Sequence, residues 1–98
     1  MTQDERAMYW DSWTVLDDLI NRTPRTTAKN GEHVAAFSVA LLAMHRFNAS
    51  ERNIHILLYH VENPPAYLFR DAFTLAALRE AQKCVFRVLE QGRKEDGN

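Results

Sequence analysis

The chain is short of the residues that break and staple a backbone: three glycines, three prolines and one cysteine in 98 residues. So few turn formers exclude a sandwich or barrel, which needs a tight turn every eight to twelve residues or so. A single cysteine excludes an intramolecular disulfide framework and fits a reducing, cytoplasmic setting. Charge of one sign is missing as well. Twelve basic residues against thirteen acidic ones leave a net charge of −1, no global drive toward nucleic acid or an anionic membrane. The longest apolar run, 34–44, is eleven residues interrupted by Ser38, about half the length of a bilayer span. The opening residues Met1 to Arg6 are polar and acidic, so no secretory signal is expected.

What is present is helical periodicity. The composition, 46% hydrophobic and 26% charged, is that of one folded globular domain. Thr2 and Glu5 have capping-box spacing. Met8, Tyr9, Trp13, Val15, Leu16, Leu19 and Ile20 then share one face, with Thr23-Pro24 as the stop. Trp10 departs from that stripe and projects toward the edge it shares with Asp17. A second helix is predicted over 32–47, so apolar all round that it must be the centre of a bundle or part of an oligomer core. Asn48 to Glu51 reads as the next capping box, with Asn48 as cap. Ile54, Leu57, Leu58 and Val61 follow at helical spacing. The same segment also alternates like a strand; helix is favoured because no second strand is available to pair with it.

Asn63-Pro64-Pro65 separates this helix from the last, which is expected to end near Gln91, with Gly92 as terminator and 92–98 as a polar tail. Leu68, Phe69, Ala72, Phe73, Leu75 and Ala76 share one side of it. Leu78, Ala81, Val85, Val88 and Leu89 lie nearly opposite. Either the helix bends near Ala76–Ala77, or its halves serve different neighbours. Leu78, Ala81, Val85 and Val88, with Leu89 beside them, have the spacing of a short coiled-coil seam and are predicted to form a homodimer interface. The fold expected is all-α, a single bundle of about four helices.

Chemistry-bearing patterns are scarce. His33, His45, His55 and His60 never stand three or four apart, so no metal site is expected. Cys84 sits within a helix, away from any N-terminus or base that would activate it. Asp17 and Asp18 diverge by about 100° and cannot share a substrate. No phosphate loop, nucleophile elbow or cofactor motif is present, and no enzyme activity is expected. The stretch 41–57 resembles a helix-turn-helix, with Phe47, Ile54 and Leu57 inward, Asn48 at the turn, and Ser50, Arg52, Asn53 and His55 toward a groove. Against DNA binding, Met44 stands where that motif has a small residue, and residues 45–62 balance two Arg with two Glu. The residues favour a protein-interaction module instead, with Tyr9, Trp10 and Trp13 as the partner surface and the five acids and single base of residues 1–20 available for electrostatic steering.

Over its whole length the chain resembles the small helical anti-activators of bacterial quorum sensing. The stretch Asp4-Glu5-Arg6-Ala7-Met8-Tyr9-Trp10-Asp11-Ser12-Trp13 and the apolar helix 34–47 carry the likeness. The resemblance implies a dimeric, non-enzymatic cytoplasmic protein that binds a LuxR-type transcription activator and blocks its dimerisation or DNA binding.

Overall fold

The first helix is set by its own end. Thr2 and Glu5 exchange backbone-to-side-chain hydrogen bonds, Glu5 N–H to Thr2 Oγ1 at 3.1 Å and Thr2 N–H to Glu5 Oε1 at 3.3 Å, closing the expected capping box. Helix α1 runs Gln3–Asn21, α2 Gly31–Arg46, α3 Glu51–Glu62 and α4 Ala72–Asp96 in the computed structural model, which describes residues 1–21, 31–62 and 72–96. No strand occurs among the described residues. The expected breaks at Thr23-Pro24 and Asn63-Pro64-Pro65, and Leu68 and Phe69 of the last helix's expected apolar face, lie outside them.

Helices α2 and α4 form the central pair: each packs on the other three elements, with α1 and α3 on the flanks. The shared core joins Leu16 and Leu19 of α1, Phe37, Ala40, Ala43 and Met44 of α2, Ile54 and Leu57 of α3, and Leu78, Ala81, Cys84, Val85, Val88 and Leu89 of α4. The long axis of 43 Å matches a 25-residue α4, about 37 Å at helical rise, plus its surroundings.

Three expectations are corrected. The cap of α3 is Ser50, not Asn48: Ser50 Oγ accepts from the Asn53 N–H at 3.2 Å. Asn48 instead ends α2 in a left-handed conformation, φ 53°. Ala49 N–H donates to the Met44 carbonyl at 2.9 Å and Asn48 N–H to that of His45 at 3.2 Å, a Schellman closure. Second, α2 is central as expected, but its apolar surface is not all covered within the chain: Ala35, Ser38, Leu42 and His45 form an exposed edge. Third, Gly92 does not end α4. It is buried inside the helix, where its missing Cβ makes room for Met1: a Cβ there would stand 3.0 Å from the Met1 Sδ and Cε.

The strand alternative for Ile54–Val61 falls away. Ile54 and Leu57 are buried at helical spacing, and the backbone is satisfied within α3 without a pairing partner. Helix α4 is continuous from Ala72, and its buried face from Thr74 to Gly92 keeps a single direction into the bundle.

Candidate partner-binding surface

Ser12, Leu16 and Leu19 are the buried residues of α1 and define the side it turns to the core. Asp4 and Trp13 lie nine residues apart, about half a turn of the wheel after whole turns are removed, so they sit on opposite flanks of that side. The α4 flank carries the aromatic residues. Trp13 is half-buried and lines an open groove with Gln82, Lys83, Phe86, Arg87 and Glu90 of α4. Trp10 stands edge-on to Trp13, with ring centroids 5.9 Å apart and planes at 72°, the arrangement favoured by aromatic quadrupoles. Gln82 Nε2 donates to Asp17 Oδ1 at 3.0 Å and fixes the register of α1 against α4.

The three residues expected to bind a partner therefore divide. Trp10 is 44% exposed and presents its indole to solvent. Trp13 supports it from a half-buried position, while Tyr9 packs against the core. Phe86, 42% exposed, shares the groove of Trp13 and was not picked out from sequence. One part of its signal was there: one residue past Val85 is a rotation of about 100°, enough to carry Phe86 out of the apolar seam but not to say which helix it would meet.

The expected dimer seam is corrected. Leu78, Ala81, Val85, Val88 and Leu89 all lie in the interior of the chain's own bundle, with Val85 and Val88 at 0% exposure. The coiled-coil spacing is real, but the helices it meets are α1, α2 and α3 of the same chain. A dimer of this chain must use another surface.

Chemistry-bearing side chains stay apart. Cys84 is buried, and burial, with Glu80 adding to it, pushes its thiol pKa above the ordinary value. His45 and His55 are exposed; His55 lies 4.0 Å from Glu51 on the α3 surface, an exposed pair of small energetic weight. His60 Nε2 and Thr74 Oγ1 share a hydrogen bond at 3.0 Å that ties α3 to α4. No group of three or more His, Cys, Asp or Glu able to hold a metal gathers among the described residues. No helix among them is long and apolar enough to cross a membrane.

The residues of the helix-turn-helix reading meet at the α2–α3 corner, where Ser50 is taken up as the cap of α3. Ile54 and Leu57 point inward, Phe47 packs on the core, and Ser50, Arg52 and His55 face solvent, with Asn53 half-exposed. Met44 is fully buried at the corner. The outer face of α3 also carries Glu51, Leu58 and Tyr59, the last 60% exposed, which gives it a mixed and not a basic character.

No protein-family model, curated protein or solved structure matches this chain.

Proposed function

We propose that the chain is a non-enzymatic regulator that acts by occupying the surface of a partner protein. The observation that carries this reading is the aromatic face: exposed Trp10, braced edge-on by half-buried Trp13, whose groove also holds exposed Phe86, with Trp10 outside the core cluster. Solvent-facing Trp and Phe add little to folding, whereas Trp is enriched among the few residues that dominate interface energetics. The resemblance to quorum-sensing anti-activators supports a LuxR-type transcription activator as that partner, held away from its dimer or its DNA.

The test mixes the purified chain with a LuxR-type activator already bound to its DNA site. The expected result is release of the DNA by the wild-type chain and at least tenfold weaker release by Trp10→Ala or Phe86→Ala. No release by the wild type, or equal release by the variants, removes the aromatic face from this role.

A second reading, DNA binding through α3, is favoured by the left-handed turn at Asn48 and by exposed Arg52 and His55. It predicts a salt-sensitive complex of the chain itself with DNA, lost on Arg52→Ala. The balanced charge of residues 45–62 weighs against it.

A further inference from the structure

The flank of α1 opposite the aromatic face borders a second groove, shared with α2. Its α1 wall carries Asp4, Met8, Asp11 and Val15, spaced four, three and four residues apart, so that acid and apolar side chains alternate along one edge. Its α2 wall carries Ala35, Ala36 and Val39. Leu42, seven residues on from Ala35 and 61% exposed, prolongs that edge. The short side chains of Ala35, Ala36 and Ser12 leave room for a backbone to approach. Among the described residues no Lys or Arg lines this groove, and the two charged ones that do, Asp4 and Asp11, are exposed aspartates.

We propose that this groove docks an amphipathic helix of a partner protein, its apolar stripe on Met8, Val15, Val39 and Leu42 and its Lys or Arg residues along Asp4 and Asp11. The two aspartates are about 10 Å apart along the axis, two helical turns, which matches basic residues repeated every seven positions on the incoming helix. Charge selects this occupant over a second copy of the chain. A two-fold contact through this groove brings an acidic rim close to its own symmetry mate, and like charges at a rim oppose association. The inference concerns a surface separate from the aromatic face and needs no contribution from Trp10.

The experiment uses the full 98-residue chain and a fluorescein-labelled synthetic peptide of roughly 18 residues, about five helical turns, with a Leu/Ala stripe flanked by Lys. Its twin carries Glu in place of every Lys. Anisotropy is expected to show binding of the Lys peptide, weakened by added salt, and at least tenfold weaker binding of the Glu twin. Asp4→Lys combined with Asp11→Lys is expected to reverse that preference, Leu42→Ser to weaken the Lys peptide, and Trp10→Ala to leave it unchanged. Both acids are exposed, and circular dichroism checks each variant's fold. Should the double substitution unfold the chain, Asp11→Asn alone is expected to weaken the Lys peptide. Equal binding of the two peptides, no binding of either, or unchanged binding after the acidic residues are replaced overturns the proposal. A wild-type dimer in light scattering that Leu42→Glu converts to a folded monomer also overturns it, assigning the face to a second copy.

Discussion

Trp10 meets Trp13 edge to face at 5.9 Å, one ring in solvent and the other anchored at the α1–α4 junction. The pair thus joins an exposed anchor to the interior, so that Trp10 is oriented before any partner arrives. An anchor held in place in advance loses less side-chain freedom on binding than an isolated surface Trp.

Val85 is at the centre of the core, touching no solvent. Val85→Glu places a carboxylate in an apolar interior, which costs several kcal/mol. The expected outcome is loss of the helical circular dichroism signal, or a urea midpoint shifted far down. A folded variant with changed oligomeric state would instead place Val85 at a subunit contact.

Asn48 holds φ 53° at the α2–α3 corner, where glycine is unstrained and other residues are not. Asn48→Gly is expected to hold or raise the melting temperature. Asn48→Val is expected to lower stability by about 1–2 kcal/mol in urea titration. Ser50→Ala, which removes the cap of α3, should cost about 1 kcal/mol. An Asn48→Val variant as stable as wild type would show that the corner is not left-handed.

Gly92 lies inside α4, where alanine is intrinsically better by about 1 kcal/mol, yet the added methyl stands 3.0 Å from the end of the Met1 side chain. The Sδ and Cε atoms are the far end of a flexible side chain that can turn aside, and the Met1 Cβ, 3.3 Å away, needs to give by only a few tenths of an ångström. Gly92→Ala is expected to raise the melting temperature, while Gly92→Phe lowers it by expelling Met1. A drop with alanine would mean that Met1 is held firmly in its seat.

Cys84 is buried with its thiol pKa raised by desolvation and by Glu80. A raised folded pKa means that the neutral thiol is favoured in the native state. Its contribution is whole below the unfolded pKa of about 8.5 and is lost as pH rises through the folded value. Wild type should therefore lose stability from about pH 8.5 upward more steeply than Cys84→Ala, as read from urea midpoints. The native thiol should also resist a water-soluble disulfide reagent until urea unfolds the chain.

The helices were legible because their signals are local. The Thr2–Glu5 box and the Ile54/Leu57 spacing act within a few residues, and each formed where its chemistry points. The identity of each helix's neighbour was less so. The Val85 stripe states that it must be buried but not whether the burying surface is its own chain or a copy, since an intrachain bundle and a coiled coil use the same spacing. Gly92 reads as a terminator by propensity, and tertiary packing against Met1 overrides that preference. Trp10 was legible because its angle on the α1 wheel is set by that helix alone. Phe86 joins it only through the packing of α4 against α1, which no local pattern encodes.

The most direct test of the aromatic face as a binding surface and not part of the core is one substitution read two ways. Trp10→Ala in the full chain is followed by thermal melting and by titration against a LuxR-type activator. A wild-type melting temperature with a partner complex weakened at least tenfold is expected, since truncating an interface anchor commonly costs about 2 kcal/mol or more of binding. A large fall in melting temperature, or unchanged affinity in a folded variant, would contradict the account.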